Sequence, residues 1–376
     1  MVDIGDKIPK EVTSFINGKW IDPNPRARRL PIICPATDES ISMLVEADVT
    51  EVELAVQCAK ETFRSGVWSK ASVDDRKTVL LRLRDLILEN KDVIAKMEVS
   101  NTGIPIAQVY GRQIPRSAMN FEFFAEFISQ SSNPVYDQNA NYITYVGREP
   151  VGVAGIIAPW NAPMALASMK LAEAIAFGNS CVFKPSELTP LGFMCFMEFL
   201  SEAGLPDGVI NMVNGAGHVT GAAITANEDV DVIAFTGGTE TGRIISAEAG
   251  RTLKRSVTEL GGKSANIIFA DADFDRALDA ALVAIFSNNG QQCLAGSRIL
   301  VEKSIEHKFI KAFVARTKKL KIGDPMDMSS EIGPLISKAQ LDRVGRFAAM
   351  AREHKGIEIL TGGKLAEGFN KGYYFE

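Results

Sequence analysis

Cysteine and histidine are scarce in this chain, with five cysteines (Cys34, Cys58, Cys181, Cys195 and Cys293) and three histidines (His218, His307 and His354) among 376 residues. The cysteines are odd in number and far apart, so neither a disulfide framework nor a zinc site follows from their spacing, and no metal is expected. Long apolar runs are missing as well, which excludes a helix able to span a bilayer. The opening Met1-Val2-Asp3-Ile4-Gly5-Asp6 lacks the charged-then-apolar order of a secretory signal. Dense Lys/Arg runs are absent, and with a formal net charge of -5 the chain offers no footprint for nucleic acid or an anionic membrane. These absences leave small-molecule chemistry in a soluble, cytoplasmic protein. Its 46% hydrophobic and 23% charged content is that of a globular protein, and its length suggests about two or three domains.

What is present centres on Gly290-Gln291-Gln292-Cys293-Leu294-Ala295-Gly296-Ser297-Arg298. Residues 274–286 before it carry apolar side chains at helical spacing, Asn288-Asn289-Gly290 breaks that pattern, and residues 298–301 read as an apolar strand. Cys293 therefore falls on a turn between two regular elements. A thiol so placed is open to a substrate and to activation by neighbouring amides or a base, as nucleophilic catalysis requires. A buried structural cysteine is the plainer alternative, but the polar, flexible neighbours argue against it. His307 and His354 lie in charged, helix-like runs, so no Cys–His dyad is expected.

Phe15-Ile16-Asn17-Gly18-Lys19-Trp20 reads as a hairpin around Asn-Gly. Helical spacing recurs over residues 50–64, with Thr50 heading an N-cap box, and over residues 73–89; a third helix begins at Pro115. Residues 139–153 alternate and carry β-formers, as in a ribbon that could serve an oligomer interface. From residue 151 strands alternate with helices. Strands are expected at 151–157, 180–184, 209–213, 230–235 and 264–269, and helices at 165–177, 191–203 and 240–249. Such alternation implies a parallel sheet covered by helices, with ligands at the carboxyl ends of its strands.

Four loops in that region carry candidate chemistry. After the first strand comes Ala158-Pro159-Trp160-Asn161, where the Asn161 amide could face a developing oxyanion or simply form a turn. Lys184-Pro185-Ser186-Glu187 places a cation and a carboxylate at a strand end, suited to the hydroxyls of an adenosine ribose, although Pro-Ser-Glu is also an ordinary helix start. Phe235-Thr236-Gly237-Gly238 leads from strand to helix through glycines that let a pyrophosphate approach the backbone. Glu259, before Leu260-Gly261-Gly262-Lys263, could be a partly desolvated base of raised pKa, or a turn glutamate paired with Lys263.

In this order the pieces resemble the aldehyde dehydrogenase superfamily, from the hairpin near Phe15 to the end of the chain. The motifs that carry the resemblance are Pro159-Trp160-Asn161, Lys184-Pro185-Ser186-Glu187, Phe235-Thr236-Gly237-Gly238, Glu259-Leu260-Gly261-Gly262-Lys263 and Gly290-Gln291-Gln292-Cys293. The resemblance implies an α/β fold: a Rossmann-like parallel sheet with helices on both faces, a second α/β catalytic domain, incomplete here, and a protruding β-ribbon for oligomerisation. It implies an NAD-binding domain over residues 1–130 and 151–260, the ribbon over 131–150 and the catalytic domain over 261–376. It further implies Cys293 as nucleophile, Asn161 with the Cys293 backbone N–H as oxyanion donors, and Glu259 as the base that activates hydrolytic water. NAD would lie against Lys184, Glu187, Gly237, Gly238, Pro159, Trp160 and Gly261. Glu187 would repel a 2′-phosphate, which favours NAD over NADP. Gly238 departs from the serine that many relatives carry.

Ile114-Pro115-Arg116 followed by Asn120-Phe121-Glu122-Phe123-Phe124-Ala125-Glu126, with Cys293-Leu294-Ala295-Gly296-Ser297-Arg298, looks like the hydroxymuconic-semialdehyde and carboxymethyl-hydroxymuconic-semialdehyde dehydrogenases of aromatic catabolism. In that branch Arg116 would meet a substrate carboxylate, which a guanidinium binds in bidentate fashion. The partner expected is thus a small acidic aldehyde, with no nucleic acid or membrane, in a homodimer or homotetramer. A betaine-aldehyde or broad-range enzyme is the alternative within the family, and a non-catalytic binding relative the alternative outside enzymes. Gly372-Tyr373-Tyr374-Phe375-Glu376 falls in mid-catalytic-domain by the family's plan, short of its Glu-x-Phe-Gly-Pro motif and final strand. The chain alone is therefore expected to be poorly soluble or inactive.

Overall fold

A computed structural model describes residues 7–376; residues 1–6, read above as free of a signal sequence, lie outside them. The chain opens with β1 (Glu11–Val12) and the hairpin β2 (Phe15–Ile16) and β3 (Lys19–Trp20). Asn17 and Gly18 turn it with φ of 51° and 73°, the left-handed pair a two-residue hairpin needs. β4 (Arg29–Cys34) and β5 (Glu39–Val45) form a three-stranded sheet with β1. Helices α1 (Val49–Ser65), α2 (Val73–Glu89) and α3 (Lys91–Thr102) follow. A single turn, α4 (Ile106–Gln108), then runs through a π-helical turn at Val109–Gln113 into α5 (Ile114–Ser129), and an exposed ribbon forms from β6 (Val135–Asn139) and β7 (Tyr142–Tyr145).

The alternating region supplies β8 (Val153–Ile157), α6 (Pro163–Ala176), β9 (Ser180–Lys184), α7 (Leu191–Glu202), β10 (Ile210–Met212), α8 (Ala222–Ala226), β11 (Val232–Thr236), α9 (Thr239–Arg251) and β12 (Arg255–Glu259). The main sheet has the order β12-β11-β8-β9-β10-β2-β3; its first five strands are parallel and the hairpin closes it antiparallel. Every residue of β8 and β9 is buried, because alternate side chains serve two apolar faces. Ala154, Ile156, Cys181 and Phe183 pack with α2, α5, α6 and α7, whereas Val153, Ile157 and Val182 pack with α1 and Ile245 of α9. The remaining elements are β13 (Ala265–Ile268), α10 (Phe274–Phe286), β14 (Arg298–Val301), α11 (Glu306–Thr317) and α12 (Lys338–Glu353). Here β13 and β14 make a separate parallel pair, and Phe309 of α11 packs with Leu278 and Leu282 of α10.

Several expectations need correction. Asp48, not Thr50, caps α1, its carboxylate accepting from Glu51 N at 2.9 Å; Thr50 lies within the helix. The ribbon occupies Val135–Tyr145 rather than 139–153, because Val151 N donates to Asn179 Oδ1 and leads the chain into β8. Pro115 continues a helix already under way. The 264–269 strand does not extend the main sheet; β12, unforeseen, takes the edge beside β11. Helix α3 was also unforeseen, since burial on nearly all sides erases the apolar stripe that marks a surface helix. No helix of the described residues is long and apolar enough to cross a membrane.

Candidate active site

Strands β9 and β10 add to one side of β8, and β11 and β12 to the other. Loops leaving β8 and β11 therefore diverge and open a crevice at their carboxyl ends, where doubly wound sheets take ligands. Gly238 caps α9 without a side-chain hydrogen bond, so the first amides of that helix point free, and no atom stands within 4 Å of where a Gly238 Cβ would lie. Thr236 keeps its Oγ1 buried and unpartnered beside them. Across β8, Lys184 is buried at the end of β9, its Nζ donating to Pro185 O at 2.9 Å and to Glu187 Oε2 at 3.4 Å. Burial pushes the Lys184 ammonium down, opposed by the Glu187 and Glu46 carboxylates. Free helix amides, an open glycine and a buried lysine paired with a partly exposed glutamate at one crevice suit a dinucleotide: diphosphate at the helix, ribose hydroxyls at the pair. Pro159 and Trp160 line the same side half-buried.

The thiol loop is built differently. Asn288, Asn289 and Gly290 have φ of 58°, 56° and 72°, a left-handed run that swings the chain sharply out of α10. Residues asparagine and glycine tolerate that conformation best. Side-chain amides then pin the loop. Asn288 Nδ2 donates to Asn161 O at 2.6 Å, and Asn161 Nδ2 donates to Gln291 O at 2.8 Å. Asn289 Nδ2 reaches Gly103 O and Pro334 O at 3.0 and 2.9 Å, while its Oδ1 accepts from Gly333 N. Gln113 Nε2 donates to Asn288 Oδ1, and Asn288 N donates to Gln108 Oε1, both at 2.8 Å. Cys293 is the exposed member of the five cysteines. Burial raises the thiols of Cys181, Cys195 and Cys58, Cys195 up to about 11.

A cavity of about 630 Å³ opens over this loop, lined by Cys293, Asn161, Arg112, Arg116, Met119 and Leu166 among others. The predicted residues Cys293, Asn161 and Arg116 thus share one wall system. Asn120 Nδ2 of α5 holds it closed behind, donating to Ala165 O and Ser168 Oγ of α6 at 2.9 Å. Glu259 does not line the cavity. It ends β12 in register with Thr236 and is exposed rather than desolvated, because β12 is the sheet's outer strand. Lys263 turns to Gly262 O instead of to Glu259. The loop between them, which carries Gly261, nevertheless reaches the thiol loop: a Cβ on Gly262 would stand 3.1 Å from the backbone oxygen of Cys293.

Three residues here escaped the motif reading. Lys170 of α6 is almost wholly buried; burial lowers its ammonium, opposed by the charges of Glu259 and Glu173. Glu98 of α3 is fully buried, accepting from Met164 N at 2.7 Å just past the Asn161 turn, and burial raises its carboxyl to about 7. Arg112 stands one turn before Arg116. A lysine, a glutamate and an arginine in helical runs gave no signal apart from the interruption of apolar spacing.

Comparison with known proteins bears on this arrangement. The sequence profile described as "Aldehyde dehydrogenase family" matches residues 20–376. The chain is 41% identical over 354 residues to the 5-carboxymethyl-2-hydroxymuconate semialdehyde dehydrogenase of Escherichia coli, covering 94% of this chain and 74% of that protein. It is 39% identical over 364 residues to human retinal dehydrogenase 2, covering 96% and 70%. The crystal structure of PnpE from Pseudomonas sp. WBC-3 superposes with a TM-score of 0.93 at 39% identity, covering 97% of this chain and 75% of that one. PnpE has also been solved in complex with nicotinamide adenine dinucleotide.

Proposed function

The chain belongs to the aldehyde dehydrogenase family and is an NAD-dependent enzyme, and from that premise we propose that it oxidises an acidic semialdehyde, such as 2-hydroxymuconic semialdehyde or its 5-carboxymethyl derivative, to a carboxylic acid. The observation that carries this reading is the single cavity into which Cys293, Asn161 and Arg116 converge from three distant segments. As thiolate, Cys293 bonds to the aldehyde carbon, and the carbonyl oxygen takes up the negative charge. One N–H of the Asn161 amide is already held by Gln291 O, which fixes the group and leaves its second N–H for that oxygen. The backbone N–H of Cys293 is the second donor. NAD, when bound, supplies a hydride acceptor for the carbon attached to sulfur. A thioester then remains on Cys293, and Glu259 takes a proton from the water that attacks it, releasing the acid and the thiolate. An exposed glutamate suits this role, since its water must come from solvent.

Lys184 and Glu187 would hold the adenosine ribose, Gly237 and Gly238 the diphosphate, and Pro159, Trp160 and Gly261 the walls between ribose and thiol. Arg116 would take the substrate carboxylate. No carboxylate lines the cavity, which favours an anionic aldehyde over a cationic one such as betaine aldehyde. The wholly exposed ribbon, with Ile143 and Tyr145 at 68% and 76% exposure, supports a homo-oligomer. NADH formation from hydroxymuconic semialdehyde and from betaine aldehyde, with Cys293→Ala as control, tests the reading. Turnover of the acidic aldehyde that disappears in the control is expected. Equal turnover of both aldehydes, or activity in the control, overturns it.

A further inference from the structure

We propose that Arg112 is a second carboxylate anchor and that the preferred aldehyde carries two carboxylates, one held by Arg116 and the other by Arg112. This rests on the reading above, in which Cys293 is the nucleophile and Arg116 an anchor. Both arginines line the cavity of the thiol, and neither makes an ion pair among the described residues. Arg84 and Arg316, by contrast, are engaged, Arg84 by Asp85 and Glu122 and Arg316 by Asp279. Two unpaired guanidiniums facing one concave space without any acidic side chain leave an uncompensated positive charge, which a dianion would neutralise.

The backbone holds Arg112 in place. Residues 112 and 116 are four apart on one continuous helical stretch, so they lie on neighbouring turns of the same face. Arg112 itself lies within the π-helical turn Val109–Gln113, a local widening that recurs at functional sites. Gln108 and Gln113, which flank it, are both hydrogen-bonded to Asn288 of the thiol loop, and Gln108 Nε2 also donates to Glu331 O at 2.9 Å. These bonds fix the distance from Arg112 to the nucleophile.

Space for a second limb is present too. A further cavity of about 630 Å³ lies beyond Arg112 and shares only Gln108 and Arg112 with the first. Its carboxylates are occupied, Asp279 by Arg316 and Glu331 by the Lys321 N–H at 2.9 Å. Arg112 therefore stands at the junction of two chambers with its charge unspent. A substrate with one carboxylate directed at Arg116 and a branch directed past Arg112 uses both.

The test compares hexanal, 6-oxohexanoate and 6-oxohexanoate bearing a carboxymethyl branch in the wild-type chain and in Arg112→Gln and Arg116→Gln. Binding of the corresponding alcohols, which the thiol cannot attack, is measured in parallel by titration calorimetry. For Arg112→Gln, KM and Kd should rise about 10-fold to 100-fold for the branched dianion relative to the monoanion, with kcat nearly constant for each. Arg116→Gln should weaken both anions together, and Arg112→Lys should restore part of the dianion preference. If the wild type handles both anions no better than hexanal, the semialdehyde reading fails and the inference falls with it. If it prefers anions but Arg112→Gln weakens monoanion and dianion alike, or neither, the semialdehyde reading stands and the second anchor alone is overturned.

Discussion

The loops bearing Cys293 and Glu259 have opposite supports. The thiol loop leaves α10 through three left-handed residues and is tied by side-chain amides to the π-helical turn before α5, the Asn161 turn and the segments near Gly103 and Pro334. The Glu259 loop ends an edge strand, is exposed from Glu259 to Lys263 apart from half-buried Leu260, and meets the thiol loop where Gly262 passes Cys293 O and where Arg298 Nε donates to Lys263 O at 2.8 Å. The difference fits the two tasks proposed for these residues. A nucleophile must be held against an oxyanion donor to within a fraction of an ångström, whereas a hydrolytic base must admit water. Rigidity and openness are therefore built next to each other.

The sharpest way to probe the contrast is Cys293→Ala, which should lower kcat on the order of 10⁴-fold or more while leaving the loop's amide bonds in place; residual turnover near wild type would remove the thiol from the chemistry. Glu259→Gln should slow turnover by about 10²-fold to 10⁴-fold yet spare the first burst of NADH in stopped-flow traces. Loss of the burst along with turnover would show that the open loop acts before hydrolysis. For Asn161→Ala the expected loss in kcat is about 10²-fold to 10³-fold, with little change in KM. Asn289→Ala attacks the pinned loop itself, removing three hydrogen bonds and a favourable left-handed residue; about 3 kcal/mol of stability should disappear from the urea unfolding curve. A Gly261→Ala change in the open loop should cost far less.

The mildest effect concerns pH. Burial holds the Glu98 carboxyl up to about 7, above the 4.5 of an unfolded chain. Between those values the native state keeps a proton that the unfolded state has released, so stability falls as pH rises across the window and levels off above it. Urea midpoints measured at pH 5, 6 and 7 should show that decline in the wild type and a flatter course in Glu98→Gln. Because Glu98 accepts from Met164 N behind the Asn161 turn, its ionisation bears on the rigid side of the site and not on Glu259.

Periodicity made β9, α10, α2 and β14 legible to the residue, since each presents a clean strand or helix pattern, with Pro185 marking the end of β9 and Asn90 the end of α2. The motifs around Asn161, Lys184, Gly237 and Cys293 were legible for a related reason: glycine, proline and asparagine beside a strand end leave few conformations, and chemistry gathers at such ends. Sequence alone thus determined a doubly wound α/β chain, a thiol on a turn and a crevice fit for a dinucleotide. Only the tertiary structure decided what faces what. Asn288 meets Gln108 and Gln113 across 180 and 175 positions, and Glu98 meets Met164 across 66. Strand order, which no local pattern encodes, put β12 at the edge and so exposed Glu259. Likewise the packing of α5 on α6 turned Arg116, and Arg112 in the π-helical turn before it, toward the thiol, because a helix fixes which residues share a face but its neighbours fix which way that face looks.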